Sequence, residues 1–350
     1  MPPTPILIAG DHFVTCGLVA EQLRAAVGEA VEIRELTLPW PYTPFGPVAE
    51  VDEASGTEDE LIAALDGVRI AVTQMAPFTE RVLAAAPELR LVVVCRGGPV
   101  NVNIPAATAH GVTVRTTPGR NAVAAAEHTV ALLTAALRQI PANHAGLVAG
   151  QWRSDLYALE HCGDELAGAT VGLVGYGAIG SRVARILHAF DAEVLVHDPY
   201  ADPATVTGRP VDLPELLAAS QVVSLHARLT PETSGMIDAA ALARMRPGAV
   251  LVNTARGGLV DYPAVARALH SGRLRAAAFD VFDAEPLPAD SPLRTAPRVV
   301  MTPHLAGATR QTAIRAARLS AEAVAAHLAG EGSDTATTAG PVPAAVNGRR

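Results

Sequence analysis

Cysteine is nearly absent: the 350-residue chain holds three, Cys16, Cys95 and Cys162, with no CxxC spacing. That excludes a disulfide framework and a cysteine-based zinc site, so the reading expects no metal and a reducing, cytoplasmic setting. Aromatic residues make up 4% and charged residues 18%, against 49% hydrophobic, so the core must be aliphatic. Acid outweighs base to give a formal charge of -8. Such a balance argues against nucleic acid or an anionic membrane as partner, but not against a local basic pocket for an acidic small molecule. Long hydrophobic runs are missing too. The most apolar stretch, Ala122 to Leu137, is interrupted by Glu127 and His128 and falls short of the roughly 20 apolar residues a span requires; it reads as a buried helix. The opening "MPPTPILIAGD" lacks the basic start and the apolar length of a signal peptide and reads as a first strand.

What is present is alternation. "ILIAG", "VEIREL", "RIAVTQ", "LRLVVVCR" and "VTVRTTP" read as strands, with helical patterns such as "EDELIAALDG" and "TERVLAAAPE" between them. Such alternation implies parallel strands joined by right-handed crossovers. "TLPWPYTPFGPVAEVDEASG" breaks the pattern with proline and glycine and is expected to be a surface loop, whose Trp40 and Tyr42 either cover a site or anchor the loop. The pattern restarts at "TVGLVG" and continues through "EVLVHD", "QVVSLHA", "AVLVNTA" and "RAAAFDV" as a second parallel sheet. A long amphipathic helix follows, "TRQTAIRAARLSAEAVAAHLAG", and residues 331–350 have the composition of a disordered tail.

In "VGLVGYGAIG" the glycines Gly175, Gly177 and Gly180 follow a strand and open a helix, and Asp198 ends the next strand. Gly175 permits the tight turn, Gly177 lets backbone approach a pyrophosphate, and Gly180 allows close helix packing; the helix N-terminus offers amide donors. Asp198 can accept both ribose hydroxyls and repels a 2′-phosphate, which favours NAD over NADP. "VNTARGGLVD", "AAFDVFDAEPLP" and "MTPHLAGAT" each end or follow a strand. The carboxyl ends of such strands line the ligand crevice, so Arg256, Asp280, Glu285 and His304 can converge. Histidine suits proton exchange near neutrality, a carboxylate fixes its tautomer, and arginine grips a carboxylate through a planar fork. Taken singly, each also has an ordinary structural reading: a surface ion pair, a turn residue, a core histidine.

Together these motifs, with "SLHARLTPET", resemble the D-isomer-specific 2-hydroxyacid dehydrogenases over nearly the whole chain. The resemblance implies two Rossmann-like, doubly wound α/β domains, with an NAD-binding domain (119–301) inserted into a discontinuous substrate domain (1–118 and 302–330). A hinge between the lobes, the helix at 120–139 crossing between them, and a homodimer are implied as well. By the same likeness Arg256 grips the substrate carboxylate, Glu285 orients His304, and His304 exchanges a proton with the substrate oxygen. Ala178 and Ile179 are placed at the pyrophosphate, Thr254 and Ala255 on the cofactor, and Asp280 and Gly307 near the nicotinamide. The expected activity is NAD-dependent exchange between a 2-hydroxyacid and a 2-oxoacid; the alternative is an NAD(H)-sensing scaffold of the corepressor type.

Three stretches depart from the family pattern. "CRGGPVNVN" is shorter than the usual glycine loop and contains Pro99, though Arg96, Gly97 and Gly98 are still expected to bind the substrate carboxylate. Arg228 replaces the usual proline and is either a surface residue or a cofactor contact. "WRSDLYALEHCGDEL" is longer than usual, so Arg153 or Tyr157 either reaches a neighbouring subunit or packs at an interface. Arg96, Arg120 and Arg153 are ordinary surface arginines or contacts for a second substrate anion, such as a phosphate or phosphonate.

Overall fold

The computed structural model describes residues 3–40 and 45–330. Tyr42 and the expected tail at 331–350 lie outside the described residues. The chain divides into two compact units, one built from the described parts of Met1–Arg120 and Ala308–Arg350, the other from Asn121–Gly307.

The first unit carries β1 (Thr4–Gly10), α1 (Cys16–Val27), β2 (Val31–Thr37), β3 (Gly46–Val48), β4 (Val51–Ala54), α2 (Glu58–Ala64), β5 (Ile70–Thr73), α3 (Glu80–Ala84), β6 (Leu91–Val94), α4 (Ile104–Ala109) and β7 (Thr113–Thr116). Five strands form a parallel sheet in the order β2-β1-β5-β6-β7. Alternate residues of each strand enter different cores, as a period of two requires. Leu7, Ala9, Ala71, Val92 and Val94 pack with Leu61, Leu83 and Ala107 on one face; Ile6, Ile8, Val72 and Val93 pack with Val19 and Leu23 on the other.

The stretch expected to be a plain surface loop is partly ordered. β3 and β4 form an antiparallel hairpin that turns at Ala49, φ +47°, and buries Val51 and Ala54. Strands of three and four residues interrupted by Pro47 are too short to show periodicity in sequence. Trp40 stacks on His12 at 6.0 Å and meets Phe45 edge-on at 5.5 Å, which is the loop-anchoring arrangement.

The second unit carries α5 (Ala122–Leu137), α6 (Ile140–Val148), β8 (Thr170–Val174), α7 (Gly180–Ala189), β9 (Glu193–His197), β10 (Arg209–Pro210), α8 (Leu213–Ala219), β11 (Val222–Leu225), α9 (Ala239–Arg244), β12 (Ala249–Asn253), α10 (Tyr262–His270), β13 (Leu274–Phe279) and β14 (Val299–Met301). Its parallel sheet runs β10-β9-β8-β11-β12-β13-β14. Val171, Leu173, Val194 and Val196 pack towards Leu133 and Leu187 of α5 and α7, while Leu225, Leu251 and Phe279 face Leu216, Leu242 and Val265 of α8, α9 and α10. Both sheets are therefore wound on both faces. The last helix, α11 (Arg310–Leu328), returns to the first unit, where Ala313, Ala316, Ala317, Ala321 and Val324 complete the core containing Ile6 and Ile8.

The boundaries differ from the sequence reading, which places residues 119–120 in the NAD-binding domain although they belong to the first unit, and groups residues 302–307 with the returning helix. The latter belong to the second unit because the amides of His304, Leu305 and Ala306 all donate to Asp280.

Candidate functional site

The glycine turn after β8 is built by backbone crowding. Gly175 has φ +99°, and a Cβ there would stand 2.6 Å from the amide nitrogen of Ala227. A Cβ on Gly180 would stand 2.3 Å from the Gly175 carbonyl oxygen, which lets α7 start directly against the turn. Gly177 is the exception. A Cβ there would meet nothing within 4 Å, so its backbone faces open space. No side chain caps α7 at Ile179, so the first turn, Ala178 to Gly180, keeps its amides for a ligand. Asp198 closes the turn: Oδ2 accepts from the Tyr176 amide at 2.7 Å and Oδ1 from the Tyr200 amide at 2.9 Å. An open glycine at an uncapped helix start, with a carboxylate on the adjacent strand, fits a dinucleotide. Arg228 is exposed, one residue beyond Ala227. Burial pushes the imidazole of His226, which bonds Ser224 at 3.0 Å, down to about 4.

A second group of residues surrounds the ends of β12 and β13. Asn253 accepts from the Ala255 amide at 3.0 Å and donates to the Arg256 carbonyl at 2.9 Å, which turns the chain sharply and leaves Arg256 exposed. Thr254 points inward. The Thr129 hydroxyl donates to the Ala125 carbonyl, so at 2.7 Å Thr254 must donate to Thr129. Its hydroxyl proton is thus given to Thr129 of α5. Gly257 fixes the turn against the next segment, since a Cβ would stand 1.8 Å from the Phe282 carbonyl oxygen. Only glycine lets the Arg256 turn lie backbone to backbone on the segment leading to Glu285.

Glu285 and His304 meet directly, with Nδ1 of His304 2.8 Å from Oε2 of Glu285. A carboxylate only accepts, so Nδ1 carries the proton and the neutral ring presents Nε2 as its acceptor. Oε1 accepts from the Phe282 amide at 2.9 Å. Burial raises the Glu285 carboxyl, but the bonds from His304 and Phe282 outweigh it and hold the group below its ordinary 4.5. His304 has φ +55°, a conformation costly for a residue with a Cβ, and its side chain is 49% exposed.

Asp280 explains how that conformation is held. Its side chain is fully buried, with Oδ1 accepting from the Thr302 hydroxyl at 2.5 Å and the Leu305 amide at 2.8 Å, and Oδ2 from the Ala306 amide at 2.8 Å. Nε2 of His128 donates to Thr302 at 3.0 Å. The Asp280 carbonyl accepts from the His304 amide, also at 2.8 Å. Burial alone would raise this carboxyl, yet the bonds from His128, Thr302, Ala306 and Leu305 bring it below 3.8. Asp280 therefore shapes the turn that carries His304. Gly307 ends the turn, where a Cβ would press to 2.9 Å on Nδ2 of the Asn121 side chain.

Residues 130–306 match the family described as D-isomer specific 2-hydroxyacid dehydrogenase, NAD binding domain. The chain belongs to that family. As an NAD-binding domain of the 2-hydroxyacid dehydrogenases, the second unit takes NAD as its cofactor. The chain is 42% identical over 322 residues to a D-3-phosphoglycerate dehydrogenase of Mycobacterium tuberculosis, covering 90% of this chain but 57% of that protein. It thus spans little more than half the length of that relative. A glyoxylate reductase of Thermofilum pendens is 40% identical over 254 residues, covering 71% of this chain and 75% of its own. The solved TT0316 protein of Thermus thermophilus superposes with a TM-score of 0.77 at 32% identity, covering 93% of this chain and 97% of that one.

Elsewhere, the first unit holds the Arg96 loop of this family member. Arg96 donates to Glu53 at 2.8 Å, while Gly98 faces open space. Arg153, in the second unit, forms a two-pronged pair with Asp155 at 2.8 and 2.5 Å. Among the described residues no helix is long and apolar enough to cross a membrane, and no cluster of three His, Cys, Asp or Glu residues could hold a metal. The sequence reading missed the supporting role of Asp280, because its donors, the Thr302 hydroxyl and the amides of Leu305 and Ala306, lie more than 20 residues away and form no recognisable spacing.

Proposed function

We propose that the chain exchanges a hydride between NAD(H) and a 2-hydroxyacid/2-oxoacid pair of D configuration. The observation that carries this reading is the 2.8 Å Glu285–His304 pair in the same unit as the glycine turn and Asp198. NAD, when bound, supplies or accepts the hydride. Ala178 and Ile179 amides hold its pyrophosphate, and Asp198 its ribose. Arg256 grips the substrate carboxylate with its planar fork. In reduction, the protonated His304 gives its Nε2 proton to the substrate oxygen as negative charge develops there, and Glu285 stabilises the imidazolium beforehand. In oxidation the proton returns to Nε2. The test is a panel of 2-oxoacids, with NADH oxidation followed by absorbance and product configuration by chiral chromatography. Turnover of none of them, or an L product, overturns the reading. No observation favours the corepressor-like scaffold.

The ribose assignment makes a separate expectation. Wild type should prefer NADH, and Asp198→Ser combined with Pro199→Arg should move the kcat/KM ratio towards NADPH by on the order of tenfold or more. A wild type that already prefers NADPH would remove Asp198 from that role.

A homodimer is also proposed, supported by an unpartnered apolar arm. α6 buries none of its residues, and Trp152 and Tyr157 are 84% and 93% exposed, with Leu159 beside them. Exposed aromatic and aliphatic groups in one stretch suit an interface core. Light scattering should give the mass of two chains, and Trp152→Asp with Leu159→Asp should halve it; a monomeric wild type at micromolar concentration counts against the dimer.

A further inference from the structure

Tyr262 is the first residue of α10 and is buried, with its ring edge-on to Phe279 at 5.1 Å and tilted against Phe282 at 6.0 Å. A buried phenol needs partners for its hydroxyl, and this one finds them on the two segments that carry the proposed chemistry. The hydroxyl donates to the Val281 carbonyl at 2.6 Å and accepts from Nδ2 of Asn253 at 3.2 Å. Burial pushes the phenol up, and the charges of Asp283 and Glu285 act in the same sense, so the group stays protonated and keeps donating near neutrality.

Each partner leads to a side chain that the reaction uses. The two Nδ2 protons of Asn253 go to the Arg256 carbonyl and to Tyr262, while Oδ1 takes the Ala255 amide, so both donors are engaged. Val281 precedes Phe282, whose amide donates to Oε1 of Glu285. Where β12 and β13 end, the Asp280 amide donates to the Asn253 carbonyl; beyond that bond, Tyr262 carries the connection from the Arg256 turn to the Glu285 segment. A 2-oxoacid holds its carboxylate and its reacting carbonyl on adjacent carbons, so the arginine that grips one and the histidine that protonates the other must keep one spacing. Asn253 fixes the turn of the arginine, and Glu285 orients the histidine. The Tyr262 hydroxyl fixes these two anchors to each other.

We propose that Tyr262 is a positioning residue whose hydroxyl sets the spacing between the Arg256 turn and the Glu285–His304 pair. It acts through Asn253 and Val281 rather than on the substrate itself. This deepens, and rests on, the hydride-transfer reading above.

Tyr262→Phe deletes the hydroxyl and keeps the ring against Phe279 and Phe282. With the best 2-oxoacid and NADH, kcat should fall roughly tenfold or more, since about 1 Å of misplacement can cost on the order of 10²-fold. Inhibition by oxamate, a 2-oxoacid analogue, should weaken by less than about threefold, because Asn253 still holds the Arg256 turn and ground-state binding is kept. The pH profile should stay where it is, because the bond between Glu285 and His304 is untouched. In Arg256→Lys, whose flexible point charge needs no single geometry, adding Tyr262→Phe should lower kcat by less than about twofold, the mark of coupled residues. A kcat of Tyr262→Phe within about twofold of wild type, or losses that multiply in the double variant, overturns the proposal. Hydrogen exchange followed by mass spectrometry reads the tie without turnover. Tyr262→Phe should speed exchange several-fold in peptides covering 253–260 and 280–285 together, while the glycine turn at 175–180 exchanges as in wild type. Faster exchange confined to those two segments supports the tie even if no 2-oxoacid is reduced, the result that would remove the hydride-transfer reading itself. Unchanged exchange in either segment, or a uniform rise across the second unit, counts against it.

Discussion

His304→Ala should lower kcat with the best 2-oxoacid by roughly 10² to 10⁴-fold, the usual worth of a positioned general acid. NADH binding, read by fluorescence titration, should stay within about threefold, because the bonds that hold Asp198 and the glycine turn run to the amides of Tyr176 and Tyr200 rather than to His304. That split distinguishes proton transfer from a general loss of structure. Glu285→Gln refines the test. The amide keeps the shape of the side chain but removes the negative charge 2.8 Å from Nδ1. The imidazolium then loses its stabilising partner, so the pH profile of reduction should move. A His304→Ala enzyme with near-normal turnover, or a Glu285→Gln profile that does not move, would assign the proton to another group.

Asp280→Ala should be the most damaging change to stability. It takes the carboxylate acceptor away from the amides of Leu305 and Ala306 and the hydroxyl of Thr302, of which the Ala306 bond is buried and the other two are part-buried. Each orphaned donor costs about 1–3 kcal/mol, so the sum is several kcal/mol against a domain stability of about 5–15 kcal/mol. Denaturant unfolding should show that loss, and any folded remainder should turn over as slowly as His304→Ala, because the turn carrying His304 has lost its frame. The pH dependence has a defined sign. Folding holds the Asp280 carboxyl below 3.8, so the unfolded chain takes up the proton first as pH falls. The contribution is fully present above about pH 5 and disappears as the pH drops through the folded-state value. Asp280→Asn should remove that acid-sensitive part while sparing some of the geometry; equal acid sensitivity in Asn variant and wild type would show that the carboxylate carries no such linkage.

How far the sequence could be read depended on whether a constraint falls on residue type or on backbone. Gly175 and Gly180 are legible because a Cβ would collide with main chain, so no other residue substitutes and the spacing survives as a motif. The strands are legible as short apolar runs between helical patterns, because strands covered on both faces are apolar throughout, and Glu285 and His304 through the motifs around them. The hairpin at 46–54 was not, because each arm is shorter than any window that reveals alternation. Neither was the inward turn of Thr254 nor the left-handed backbone of His304. Both are imposed by distant partners, α5 in one case and the Asp280 carboxylate in the other.

The return of α11 to the first unit has a consequence for the order in which the chain assembles. The second unit, 121–307, is continuous, so every contact it needs is available once that stretch has been synthesised. The first unit is not. One face of its sheet, with Ile6, Ile8 and Val93, stays open until Ala313, Ala316 and Val324 arrive, and a contact spanning about 300 residues is slow to close because of the loop entropy it must overcome. During synthesis that face is the exposed apolar surface with the longest wait, and the inserted unit is the part that folds while it waits.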